Sequence, residues 1–145
     1  MQFSDVLVPT DLSQTSLKSL EYAKSLVASD GEIYLLHVID QDFVQRAVEQ
    51  ELGSSEQIIG SMRERAERIL GEVIENDLEA KAKLNKMVVV GVPFVEILRI
   101  AKDLDFSLIV MSIRGSSSPL KEIFFGSTVD KVLRATKIPV VCIPA

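Results

Sequence analysis

Histidine and cysteine occur once each, as His37 and Cys142, and tryptophan does not occur. One cysteine excludes an internal disulfide and an all-cysteine metal site. One histidine excludes a multi-histidine metal site within a chain. Glycine is sparse, seven in 145 residues, and it is missing where phosphate loops need it. There is no GxxxxGK[ST] run, and Pro9-Thr-Asp-Leu-Ser13 has no glycine from which to build GxGxxG after the first strand. A GxSxG elbow is absent. The third strand ends Val90-Gly91, with no aspartate to accept a phosphoryl group. Positive charge is also short: 16 Lys and Arg against 21 Asp and Glu leave a net −5. With no basic block to neutralise a phosphate backbone, nucleic acid is not an expected partner. No apolar run approaches the ~20 residues that span a bilayer, so no membrane association is expected. Met1 leads straight into a strand without a secretory pattern. A cytoplasmic, reducing location is expected.

What is present is an ordinary globular composition, 47% hydrophobic, in a length suited to one domain, 1–145. Phe3 to Pro9 reads as a strand and Thr10 to Ser13 as a turn. Leu17, Leu20, Ala23, Leu26 and Val27 recur at helical spacing, and Asp30-Gly31 predicts the stop of that helix. Glu32 to Val38 is a second, mostly apolar strand. Asp40 to Leu52 has weak helical periodicity, broken by Gly53-Ser54-Ser55. A long helix follows, with Ile58, Ile59, Met62, Ala66, Ile69, Leu70, Val73 and Ile74 on one side. Arg63, Glu64, Glu67, Arg68 and Glu75 on the other side predict a solvated face with i,i+4 pairs.

Leu84 to Val90 is the third strand. Lys81, Lys83 and Lys86 suit a sheet edge. Pro93 opens a helix whose inward stripe is predicted as Phe94, Ile97, Leu98, Ala101 and Leu104. Leu108 to Met111 is the fourth strand, and Ser112 to Phe125 a long loop. Ser127 is predicted as the N-cap of the last helix, with Asp130 in the capping-box position and Val129, Val132 and Leu133 facing inward. Val140 to Ile143 is the last strand.

This strict alternation predicts an α/β fold: a three-layer, doubly wound, five-stranded parallel sheet of order 3-2-1-4-5. Its topological switch point falls between strands one and four, and ligands sit outside the carboxyl ends there. The Thr10–Ser13 and Ser112–Phe125 loops flank that point. Asp11 has two roles open to it: accepting hydrogen bonds from a ribose or base edge, or capping the first helix. Gly115 allows close backbone approach. Gly126, Ser127 and Thr128 offer N–H groups and hydroxyls at a helix start, where the dipole favours an anion; a plain helix cap is the competing role. Arg114 and Lys121 can add charge, although loop cations are usually just solvated. His37 lies in an apolar strand and reads as a packed, structural histidine. Cys142 reads as a small buried hydrophobe.

In order along the chain, Val6-Leu-Val-Pro-Thr10-Asp11-Leu-Ser13, Leu35-Leu-His-Val38-Ile-Asp40, Gly91-Val-Pro93, Leu108-Ile-Val-Met-Ser-Ile-Arg-Gly115, Phe125-Gly-Ser127 and Lys137-Ile-Pro-Val-Val-Cys-Ile-Pro144 resemble the universal stress protein family. The resemblance spans the chain. It implies the adenine nucleotide alpha hydrolase-like fold and a homodimer through the final edge strand, Val140, Val141, Cys142 and Ile143. In nucleotide-binding members ATP lies across the switch point. The matching positions here are Pro9, Thr10 and Asp11 near base and ribose, Val38 through its backbone, and Gly115, Gly126, Ser127 and Thr128 at the phosphates. The family's ATP signature is G-x2-G-x9-G-[ST]. This chain departs from it with Ser112 at the first glycine and with ten residues, Ser116 to Phe125, before Gly126.

The resulting expectation is an ATP- or AMP-binding stress-response module, a sensor or regulator rather than an efficient enzyme, with Mg²⁺ accompanying ATP. Two alternatives stay open. One is a protein-interaction module whose pocket is vestigial. The other is a slow ATPase using Asp11 with Mg²⁺.

Overall fold

The structure is a computed structural model that describes residues 2–113 and 127–144. Its elements are β1 (Phe3–Pro9), α1 (Gln14–Leu17), α2 (Ser19–Leu26), β2 (Val27–Asp40), α3 (Gln41–Glu49), α4 (Ser55–Asn76), β3 (Lys83–Gly91), α5 (Pro93–Asp103), β4 (Leu108–Ser112), α6 (Ser127–Ala135) and β5 (Val140–Ile143). The sheet has the order β3-β2-β1-β4-β5, and its neighbouring strands are parallel.

Apolar runs make the central strands because both faces are covered. Val6, Leu7 and Val8 of β1 and Leu108, Ile109 and Val110 of β4 have no exposed surface. Alternation sends Val6, Val8, Leu108 and Val110 into one core with Leu20, Ala23, Val44, Ala66 and Leu70. Leu7, Ile109 and Met111 enter the other with Ile97, Ile100, Val129 and Val132. Helices α2, α3 and α4 therefore cover one face, and α5 and α6 the other. This is the predicted three-layer, doubly wound arrangement, with its switch point between β1 and β4.

Local signals end the helices where polar groups can be satisfied. Ser13 caps α1, its hydroxyl accepting from the Ser16 N–H at 3.2 Å. Ser54 and Gln57 form a reciprocal capping box at α4. Pro93 stands in the first turn of α5, where a missing N–H costs nothing.

Several expectations are corrected. Gly31 does not stop a helix. α2 ends at Leu26, Val27 opens β2, and Gly31 lies inside that strand. It is needed because a Cβ there would collide with the Ser4 carbonyl, beside the register irregularity between Phe3 and Asp5. Leu104 and Leu133 are not core residues: they are 51% and 36% exposed, and Ile100 takes the inward place on α5. Ser127 is the first residue of α6 rather than a residue before it. Asp130 pairs with Arg134 at 3.0 Å. The α4 charges are also more than a solvated face. Arg68 pairs with Glu72 at i,i+4, but Arg63 reaches the Val88 carbonyl of β3 at 2.9 Å and Glu67 meets Lys86 at 3.1 Å. Side chains of α4 thus dress the outer strand.

Candidate functional site

The carboxyl end of β1 is held by one residue. Thr10 is buried, and its backbone N–H continues the ladder to the Leu36 carbonyl at 2.8 Å. Its hydroxyl sits 2.6 Å from the Ser16 hydroxyl and accepts from the Leu12 N–H at 3.0 Å. Its carbonyl accepts from His37 Nδ1 at 2.9 Å. Leu12 can then take a φ of +74°, a conformation that costs a bulky residue free energy. The Thr10 hydroxyl bond and the burial of the Leu12 side chain offset that cost. The turn throws Asp11 outward. Asp11 is exposed, and its Oδ1 accepts from the Ser13 N–H at 3.0 Å. It therefore shapes the turn, while Ser13 does the helix capping.

Across the switch point, β4 ends in Ser112, which is buried and in register with Ile143. By strand alternation it faces the side covered by α2 and α4. Ser127 is exposed and Thr128 half-buried in the first turn of α6, the N-terminal end of a helix of nine residues. Pro9 is the last residue of β1, buried and in register with Leu36. Val38 is in register with Val89 of β3, and its side chain is buried in the core under α5 and α6. What it can offer a ligand is its backbone. Gly115 and Gly126, together with Arg114 and Lys121, lie outside the described residues. The fold thus gathers Pro9, Thr10, Asp11 and Val38 at the carboxyl ends of β1 and β2.

His37 departs from its reading as a sealed core residue. It is half-buried and touches the site through Thr10. Because a carbonyl only accepts, the shared proton sits on Nδ1. Burial pushes the imidazole below its ordinary value; the Thr10 bond and nearby Asp11 pull the other way, while Arg65 adds to the fall. Ser16 is a second residue absent from the sequence reading. Its signal was there in the spacing Ser13-x-x-Ser16, which sets an N-cap hydroxyl against the residue at the third helical position.

Among the described residues no group of three or more His, Cys, Asp and Glu side chains could hold a metal ion, and no helix is long and apolar enough to cross a membrane. A cavity of about 330 Å³ lies at the opposite, amino end of the sheet, between Gln2, Val27–Ser29 and Ala80–Ala82. Lys24, which also lines it, is bound there to Asp77.

Strand order and switch point define a doubly wound α/β protein, with the switch point between β1 and β4. Residues 2–144 match the profile of the universal stress protein family, and the chain belongs to that family. Universal stress protein MJ0577 of Methanocaldococcus jannaschii is 29% identical over 161 aligned residues, covering 99% of this chain and 96% of that protein. MJ0531 of the same organism is also 29% identical, covering 97% and 82%. The solved structure of MJ0577 superposes with a TM-score of 0.85 over 100% of this chain and 98% of that one. That of the hypothetical protein PH0823 superposes with 0.76 at 33% identity, over 97% and 95%. A universal stress protein solved with cAMP (TM-score 0.68, 19% identity, 99% and 98% covered) and one from Archaeoglobus fulgidus solved with dAMP (0.64, 20%, 99% and 99%) share the fold.

Proposed function

We propose that this chain is a nucleotide-binding module that takes ATP or AMP at the switch point and acts as a sensor or regulator in a cytoplasmic stress response. The observation that carries the reading is the turn after β1. A strained Leu12 and a fully bonded Thr10 hold Asp11 outward at the crevice where doubly wound sheets take ligands. Pro9, Thr10 and Asp11 receive base and ribose, with the Val38 backbone beside them. Gly115, Gly126, Ser127 and Thr128 receive the phosphates, a role that the dipole of α6 supports. Universal stress proteins solved with cAMP and with dAMP support this reading. Mg²⁺ would accompany ATP, and the exposed Asp11 carboxylate is the group on the turn that would meet it.

A homodimer through β5 belongs to the same reading. Arg63, Lys83 and Lys86 dress the β3 edge, whereas Val140-Val-Cys-Ile143 leaves the other edge apolar and uncharged.

The test is to denature the purified protein, look for released nucleotide, and titrate ATP and AMP by calorimetry. Binding is expected, and Asp11→Asn, which keeps the acceptor for the Ser13 N–H, is expected to weaken it about tenfold. No heat and no released nucleotide would sink the reading. The second reading, an interaction module, would then stand; Ser112, a buried side chain where the family signature has glycine, favours it. Sustained Mg²⁺-dependent turnover lost in Asp11→Asn would instead establish the ATPase.

A further inference from the structure

We propose that His37 is the positioning residue of the switch-point turn: its Nδ1–H holds the Thr10 carbonyl and so fixes the direction in which Asp11 leaves β1. The bond is 2.9 Å long and joins residues 27 apart in the chain. It falls where the ladder between β1 and β2 runs out, since that register ends at Pro9 and Leu36 and the Thr10 N–H makes the last bond, to Leu36. Beyond that point no strand partner orients the Thr10 peptide, and the imidazole takes over. The Thr10 hydroxyl is already committed to Ser16 and to the Leu12 N–H, so it cannot substitute.

The strand that carries the ring is itself held in place. His37 is in register with Val88 of β3, whose carbonyl is bound by Arg63 of α4. Charged neighbours are Asp11 from the turn and Arg65 from α4. A side chain carried by the sheet and bonded to the first carbonyl beyond β1 sets the geometry of the next residue, Asp11. The consequence for ligand affinity rests on the nucleotide reading; the orientation of the turn does not.

The test uses the whole protein and exploits its single histidine, whose ring signals need no assignment. Nitrogen-15 spectra of the ring are expected to show the Nδ1–H tautomer at neutral pH. His37→Leu is expected to shift the amide signals of Thr10, Asp11 and Leu12 with the circular dichroism unchanged, and His37→Asn, which offers an N–H in the same place, to restore them. In calorimetry His37→Leu is expected to weaken ATP roughly five- to tenfold and His37→Asn to recover most of the loss. An Nε2–H tautomer, or turn amides unmoved in His37→Leu, would overturn the positioning role. So would equal loss in both variants. Wild-type protein that binds no nucleotide but shows the Nδ1–H tautomer and the shifted turn amides would sink the nucleotide reading and leave the positioning role standing.

Discussion

Lys24 and Asp77 meet at 2.8 Å with side chains 13% and 8% exposed, tying α2 to the turn that leads from α4 into β3. Asp77 also accepts from the N–H groups of Glu79 and Ala80 at 3.1 and 3.0 Å. Burial opposes its charge, but Lys24 and these N–H groups outweigh that and hold its carboxyl below the usual 3.8. Asp77→Ala leaves Lys24 enclosed with only the exposed Glu21 for a partner and opens the turn. The expected cost is about 2–3 kcal/mol, read from urea denaturation. The folded pKa is depressed, so this contribution is present above pH 3.8 and is lost as the pH falls through the folded value. The variant should therefore unfold less steeply with acid than the wild type.

His37 gives a second acid effect at milder pH. Burial, chiefly, holds the folded imidazole below its usual 6.5, so the unfolded chain takes up a proton first. Stability is then full above pH 6.5 and declines as the pH falls from there towards the folded value. His37→Asn has nothing to titrate and should flatten the stability profile between about pH 7 and 5. A variant profile that keeps the wild-type slope would assign the effect to another group.

Glycines separate the positions where backbone needs the space from those where it does not. Gly31→Ala pushes a Cβ against the Ser4 carbonyl, which is main chain and cannot swing away. A loss of about 2 kcal/mol is expected. Gly60 lies exposed in α4 with nothing within 4 Å of an added Cβ. Gly60→Ala should stabilise by about 0.5–1 kcal/mol, because the unfolded chain loses freedom and the helix gains a better former. Thermal melts of the two variants should therefore shift in opposite directions.

The same contrast marks how far the sequence could be read. A parallel sheet covered on both faces followed from alternation and from continuous apolar runs such as Leu108 to Met111, and 3-2-1-4-5 was the simplest order for its five strands. The Gly31 error arose because Asp-Gly after an apolar period usually ends a helix, whereas here the glycine answers a close approach from Ser4, 27 residues away. Leu104 departs from the inward stripe because it lies one residue past the end of α5, which hydrophobicity alone cannot show. Asp11 was legible at the switch point from topology. The bond from His37 to Thr10 was not, since it depends on how far the ladder between β1 and β2 extends, and no periodicity records that.

The β5 edge offers a test of assembly that spares the fold. The Ile109 N–H donates to the Pro139 carbonyl at 3.0 Å and the Ile113 N–H to the Ile143 carbonyl at 2.8 Å. Groups of residues 139, 141 and 143 thus face β4, and by alternation Val140 and Cys142 turn their N–H and carbonyl groups to the open edge. Proline is tolerated in an edge strand when the missing N–H is the outward one. Cys142→Pro removes an outward donor and leaves the ladder with β4 intact, while Val141→Pro removes an inward donor. If copies of the chain pair along β5, light scattering after size exclusion should show Cys142→Pro shifted towards monomer with its circular dichroism preserved. Val141→Pro should lose the fold itself. A Cys142→Pro protein that remains as dimeric as the wild type would place the contact between copies somewhere other than this edge.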